Sequence, residues 1–394
     1  LDDVPPVPSE QARAVLEADL GHRVDELFAR FDDTPPLAAA SVAQVHACVL
    51  HDGRAAVVKI QRPGIRHRML VDLRAAYAGA RLLQVFEFFR IANAPAIIRD
   101  LYAATMTELN SAVEADRQSR FRDRIGAFGD NKGVTTPEVY WDYCGPRVIC
   151  MERLYGIPMD RVTADPDSGV DTRLLIRRGG VKVWIESVVL HGPFHGDVHA
   201  GGNLWLLDDG RLALLDFGIV GELPEHWRVI LRDLFRATAV DGDFARVARG
   251  IRALGYGTGN DEDDATLGAQ VAEALAPLLG RELGDLRLSD LIMALIRLGK
   301  RWGGVASPEE MVLFGKQLGY FERYATALAP GWVLGGQDLY LFRNIFPDEV
   351  AIGAAESGVS CPTDRYAPGL FTAPARSNNF NDRSTQLREG ISSP

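Results

Sequence analysis

The sequence predicts an α+β chain of two unlike halves, the first built around a small antiparallel sheet and the second mainly helical. Three observations carry this expectation. Short apolar runs joined by turn signals cluster before residue 155. Long amphipathic segments follow Gly156, at roughly 224–255, 264–280, 286–302 and 308–328. One more hairpin, inside the helical half, has chemistry at both ends: His195-Gly196-Asp197 through Asn203 before it, and Asp216-Phe217-Gly218 after it.

Taken in order, residues 9–20 predict a helix with Ser9 as N-cap and Gly21 as its stop. Val42 to Ile60 reads as strand, Asp52-Gly53 turn, strand. Residues 65–125 read as helical, with Pro95 dividing one helix from the next. A second hairpin is expected from Glu138–Tyr143, a Gly145-Pro146 turn and Val148–Met151. The central hairpin is Leu204–Leu207, an Asp208-Asp209-Gly210 turn and Leu212–Leu215. From about Ser357 the chain is rich in Ser, Asn, Pro, Arg and Gly without periodicity and reads as disordered. These signals divide it into a helical extension (1–30), a β-containing lobe with a helical insert (31–155), a helical lobe (156–352) and a tail (353–394).

With 394 residues and 47% apolar content, the chain can bury a core in each half. A formal charge of −10 argues against a nucleic-acid surface, which needs clustered Lys and Arg. Cys48, Cys144, Cys150 and Cys361 show neither metal-ligand spacing nor a disulfide pattern, so a cytoplasmic location is expected. No apolar run approaches the roughly 20 residues of a membrane span. The chain opens at Leu1 with Asp2 and Asp3, as a fragment or a misplaced start would. The Leu288–Leu298 segment, with Arg297, Lys300 and Arg301 at one end, reads as a core helix or as a peripheral contact with the inner membrane surface.

Protein kinases place a catalytic Asp five residues before an Asn, and a second Asp in DFG that carries metal. Asp197, Asn203 and Asp216 follow that order, with six positions in place of five. A bulge at Gly201-Gly202 would absorb the extra residue. Lys59 lies in the strand run Ala56-Val57-Val58-Lys59-Ile60. It is either a phosphate-holding lysine or an edge residue reaching for water. A phosphate-holding lysine needs an orienting carboxylate; Glu114 is favoured over Glu108, which lies on a different helix face. Where a glycine-rich phosphate loop belongs, the chain has Ala38-Ala39-Ala40-Ser41-Val42. Such a loop is stiffer and would offer the Ser41 hydroxyl and backbone N–H groups. Pro224-Glu225 follows Gly218 almost at once, leaving no room for a peptide-docking segment. A zinc site from His191, His195, Asp197 and His199 has no trusted spacing and would leave Lys59 and Asp216 unexplained.

On these residues, together with Val57–Gly64, the Glu108–Glu114 segment and Met151-Glu152, the chain resembles the UbiB (AarF-domain) atypical kinase-like family over roughly residues 2–350. The resemblance implies a bilobal protein-kinase-like fold with ATP or ADP and Mg²⁺ in the cleft between the lobes. It implies ATPase or small-molecule kinase activity, a role in isoprenoid-quinone biosynthesis, and a lipid or quinone precursor as partner. Carried onto this sequence, Lys59 orients phosphates and Glu114 pairs with it. Ala38, Ala39, Ala40, Ser41 and Val42 form the nucleotide loop, and Met151-Glu152 the adenine hinge. Asp197 is the catalytic aspartate, and Asn203 and Asp216 are the metal ligands. Two departures stand out: no Lys-x-Gly-Gln motif precedes the alanine-rich loop, and the family's Glu-x-Asp reads Glu108-Leu109-Asn110. The competing readings are an aminoglycoside-phosphotransferase-like small-molecule kinase and a nucleotide-binding pseudokinase scaffold.

Overall fold

A computed structural model of the chain describes residues 5–33, 35–83, 109–163, 171–172, 175–199, 202–255, 262–276, 309–329 and 339–357, with a few single positions between them. The chain folds as two compact units. One is Leu1–Arg122 with Thr136–Leu154 and Asp216–Ile219; the other is Asp123–Thr135 with Tyr155–Leu215 and Val220–Pro394. The strands in chain order are β1 (Arg30–Phe31), β2 (Ala38–Ala39), β3 (Ala43–Val49), β4 (Ala55–Gln61), β5 (Val134–Thr135), β6 (Val148–Glu152), β7 (Gly156–Pro158), β8 (Phe194–His195), β9 (Leu204–Leu207), β10 (Leu212–Leu214) and β11 (Val220–Gly221).

In the first unit the sheet runs β1-β3-β4-β6, with β2 added to β3. Alternation along β4 sends Ala56, Val58 and Ile60 into a core shared with Ala12, Val15 and Leu16 of the Ser9–Leu20 helix. The opposite face therefore receives Lys59, which pairs in register with Val45 and Ile149. That face meets the Ser111–Gly126 helix, whose Ala115 packs on Val139 and Ile149.

Two local expectations are corrected. The first helix does start at Ser9, but the cap position is Pro8 and no side chain caps it. Proline lacks the N–H that would need a partner there, and its carbonyl accepts from Gln11 and Ala12. Gly21 ends the helix at φ 75°, as its sequence position suggests. The segment before Gly145 is not a full hairpin arm, because Trp141–Tyr143 is a 3-10 turn and only Val139 bridges to Met151. The Tyr143 N–H closes locally on the Tyr140 carbonyl, taking the place of a ladder bond.

In the second unit β5-β10-β9-β7 form a sheet, and β8 pairs with β11. The predicted leucine hairpin is present, with Ala213 opposite Trp205 and Leu204, Leu206, Leu212 and Leu214 buried. The 224–255 segment splits into Glu225–Arg236 and Phe244–Ala253 around a wider π turn and Gly242. Asp243 caps the second piece by accepting from the Arg246 N–H. The next helices are Asp264–Leu275 and Glu309–Leu328. Pro95, Glu108, nearly all of 286–302 and the tail beyond 357 lie outside the described residues. No helix among the described residues is long and apolar enough to cross a membrane.

The Phe244–Ala253 and Asp264–Leu275 helices touch backbone to backbone at Gly268, where a Cβ would stand 2.5 Å from the Ala245 nitrogen. Gly268→Ala is therefore expected to lower stability by about 1–3 kcal/mol, as overpacking does. Urea unfolding at unchanged m-value is the check, and a neutral result would contradict this packing.

Candidate active site

Lys59 reaches across its face of the sheet to two carboxylates. Its Nζ lies 2.7 Å from Glu114 Oε1 and 3.2 Å from Asp216 Oδ1. The lysine and Glu114 side chains are 19% and 9% exposed, whereas Asp216 is 48% exposed. Burial alone would push the lysine pKa down, but the two carboxylates outweigh it and hold the ammonium charged above the ordinary lysine range. The Lys59 charge holds Asp216 well below the usual carboxylate range; burial opposes this and the Gly218 N–H reinforces it. Burial raises Glu114 to about 7 against the pull of Lys59, and the Asp216 charge adds to the rise. One cation thus serves two carboxylates, and the more enclosed one takes up the proton more readily.

The Ser111–Gly126 helix positions this group with a single face. Glu114, Gln118 and Phe121 recur at i, i+4 and i+7. Gln118 Nε2 donates to the Pro137 carbonyl at 2.7 Å and lies 3.6 Å from Met151 Sδ. The Phe121 ring packs on Phe217 at 5.1 Å between centroids. Arg117 of the same helix donates to the Gly218 carbonyl at 2.8 Å. All three residues of Asp216-Phe217-Gly218 are therefore gripped, and Asp216 holds a left-handed φ of 59°. For a residue other than glycine that is strained backbone, fixed here by its surroundings.

The alanine-rich loop is stapled to the sheet. Ala38 and Ala39 pair with Val45 and Gln44, and the Ala40 N–H donates to the Ala43 carbonyl at 2.8 Å. Arg62 Nε donates to the Ala40 carbonyl at 2.7 Å, and the Val42 carbonyl accepts from the Arg62 N–H. The expectation that the loop's amides remain donors is corrected at Ala40, whose N–H is already paired; Ser41 is exposed. Met151 and Glu152 end β6, and Glu152 Oε2 takes the Glu138 N–H at 3.1 Å.

The loop that carries Asp197 and Asn203 belongs to the second unit. His195 is fully buried; its Nδ1 accepts the Asp197 N–H at 3.1 Å, so Nε2 carries the proton and donates to the Leu215 carbonyl at 2.9 Å. Both ring nitrogens are committed to backbone, so the ring orders the loop rather than binding zinc. Asn203 Nδ2 donates to the Asp197 carbonyl at 2.9 Å, which ties the ends of the loop together across the longer spacing. Gly201 lies outside the described residues. At Gly202 a Cβ would come within 2.6 Å of the His199 ring, so close approach explains this glycine.

Sequence reasoning missed the Glu309–Leu328 helix as part of this site. Gln317, fully buried, accepts the Val198 N–H at 3.0 Å and donates to the Gly196 carbonyl, gripping both sides of Asp197. Tyr324 donates to the Val198 carbonyl. Lys316 Nζ is 2.8 Å from Asp197 Oδ1, the Tyr320 hydroxyl 3.4 Å from the same oxygen, and His199 Nε2 3.8 Å from Oδ2. The available signal was a polar Gln and two Tyr recurring on the apolar stripe of an amphipathic helix. A second buried cluster was also missed: Lys182, fully buried, lies 2.6 Å from Glu186 and 3.0 Å from Asp130, with Asn131 and Asn344 bonded into it.

Taken singly, the two candidate donors have chemistry that suits Mg²⁺: Asn203 gives its Nδ2 to the Asp197 carbonyl and keeps its amide oxygen available, and the Asp216 carboxylate is half-exposed and held ionised. Among the described residues no cluster of three or more His, Cys, Asp or Glu could hold a metal ion. Few carboxylate ligands, completed by substrate phosphates, is the arrangement Mg²⁺ favours.

A family model described as the ABC1 atypical kinase-like domain matches residues 1–250. The uncharacterized protein Rv0647c of Mycobacterium tuberculosis is 36% identical over 334 residues, 84% of this chain and 67% of that protein. A probable protein kinase UbiB of Azotobacter vinelandii is 33% identical over 84% of this chain and 60% of its own length. An uncharacterized aarF domain-containing protein kinase of Arabidopsis thaliana, described as chloroplastic, is 31% identical over 84% of this chain and 64% of its own. The chain therefore spans about two thirds or less of the length of these relatives. Among solved structures, the Rv3197–erythromycin complex of Mycobacterium tuberculosis superposes with a TM-score of 0.54 at 22% identity, covering 83% of this chain and 84% of that one, a likeness of fold.

Two outcomes follow from the Lys59 group. Lys59→Met leaves two neighbouring carboxylates without their cation and is expected to cost about 3 kcal/mol. Replacing Glu114 by Met as well should restore part of that loss in urea unfolding; a double variant as unstable as the two singles summed would count against the pairing. A folded pKa near 7 at Glu114, against about 4.3 unfolded, means its favourable contribution is complete at acidic pH and is lost as pH rises through 7. The melting-temperature advantage of wild type over Glu114→Gln should therefore shrink from about pH 5 to about pH 8. A constant difference would show that Glu114 does not titrate there.

Proposed function

The chain belongs to the ABC1 atypical kinase-like family, and on that premise we propose that it binds ATP with Mg²⁺ and transfers the terminal phosphoryl group to water or a small acceptor. The observation that carries this reading is the buried Lys59 ammonium held by Glu114 at 2.7 Å and by Asp216 at 3.2 Å. A lysine so oriented has one remaining N–H group to present to an anion, as a phosphate-holding lysine does. Asp197 is proposed to take the proton of the attacking hydroxyl, and Asn203 and Asp216 to hold Mg²⁺, which neutralises phosphate charge when bound. Ala38–Val42 and Met151-Glu152 are proposed to line the nucleotide, the former as a stiff wall. Only Ile219–Pro224 separates Gly218 from the Glu225–Arg236 helix, and Val220–Gly221 of this stretch is already paired as β11. So short a connection disfavours peptide substrates and supports a small acceptor. By analogy with its UbiB-named relatives, we propose a lipid or quinone precursor in that role, met at a peripheral membrane surface.

A nucleotide-binding scaffold is the second reading, favoured by the Lys316 ion pair on Asp197. Mg²⁺-dependent ATP hydrolysis, measured with and without liposomes carrying a quinone-like phenol, separates the two. Asp197→Asn should lower turnover by about 10²–10⁴ while nucleotide still binds. Asp216→Asn, tolerated in a left-handed backbone, should abolish the Mg²⁺ dependence. Turnover indifferent to Asp197→Asn would refute the proposed base, and binding without any turnover would select the scaffold.

A further inference from the structure

We propose that Lys316 is a ligand for the terminal phosphate, resting on Asp197 until a nucleotide triphosphate draws it off; this rests on the nucleotide reading above. The segment from His195 to Asn203 holds no lysine or arginine, so a permanently charged cation beside Asp197 must come from another element. The Glu309–Leu328 helix supplies it: Lys316 Nζ stands 2.8 Å from Asp197 Oδ1. This is no loose surface contact. The neighbouring Gln317 bonds the backbone on both sides of Asp197, and Tyr324, two turns further along, bonds Val198, so the helix is registered on the loop. The Lys316 ammonium also lies 5.6 Å from the Tyr320 ring, which borders its position.

The Lys316 ammonium and the Tyr320 hydroxyl both lie against Asp197 Oδ1, so that oxygen can receive a substrate hydroxyl only when the cation has another anion to move to. Lys59 is already shared between Glu114 and Asp216, whereas the Lys316 side chain is 43% exposed and gives one of its three N–H groups to Asp197. A triphosphate terminus is the anion that arrives together with the acceptor. When Lys316 shifts onto it, the Asp197 oxygen is exposed to the hydroxyl at the moment it is needed. No covalent bond changes in that shift.

A contact of this kind distinguishes ATP from ADP, and that difference can be read without turnover. Binding of ADP and of a non-hydrolysable ATP analogue, with Mg²⁺, should be measured by calorimetry on the full chain, Lys316→Met and Lys316→Arg. A half-exposed ion pair contributes little to folding, so the variants should remain folded, and their melting temperatures are recorded alongside. Lys316→Met is expected to weaken the ATP analogue by about ten-fold or more with ADP nearly unchanged, and Lys316→Arg to retain most of the preference. Equal losses for both nucleotides, or no loss for either, would overturn the role of Lys316 while leaving the nucleotide reading standing. A wild-type chain that binds neither nucleotide would overturn both.

Discussion

Burying the Lys59 ammonium is the constraint on which the first unit depends. Strand alternation that sends Val58 and Ile60 to the core leaves the lysine on the other face, where water is largely excluded. A charge there persists only with opposite charge at hydrogen-bond distance, and no residue near Lys59 in sequence supplies it. Glu114 comes from a helix about fifty residues on, and Asp216 from a segment far later in the chain. The helix that brings Glu114 also brings Arg117 and Phe121, so the same docking that satisfies the lysine fixes Asp216-Phe217-Gly218. Satisfying one buried charge therefore assembles the Lys59–Glu114–Asp216 group.

The second unit solves a related problem for backbone. Gly196–His199 and Gly202–Asn203 lie outside the strands, so their N–H and carbonyl groups have no ladder to join. His195, Gln317, Tyr324 and Asn203 provide side-chain partners in place of secondary structure. The result is a loop held from beneath and from one flank, with the Asp197 carboxylate partly exposed. The buried Lys182, with Asp130 and Glu186, follows the same rule as Lys59 but is fully enclosed, which suits a structural rather than a ligand-binding charge.

The alanine-rich loop links the two themes. Paired with β3 and tied by Arg62, it lacks the freedom of a glycine-rich cradle. Its rigidity supports the proposed nucleotide site, in which charged side chains rather than a folding loop would grip the phosphates. The short connection after Gly218 supports the proposal of a small acceptor.

Much of this was legible in the sequence. Period-two alternation with Asp52-Gly53 and Asp208-Asp209-Gly210 turns located β3–β4 and β9–β10, because turn chemistry and pleat are local properties. A lysine within an apolar strand announced a buried charge, and helical spacing showed that Glu108 and Glu114 could not both face it, without deciding between them. Residues 138–143 were misread because a local turn bond competed successfully with the ladder, a balance that alternation does not report. Lys316 and Gln317 could not be found from spacing, since nothing local ties them to Asp197 more than a hundred positions earlier. The sequence by itself determined which residues carry charge and which faces are apolar, because those follow from composition and period. Only the tertiary structure decided which charges meet, because desolvation makes each buried charge seek its partner through space, regardless of distance along the chain.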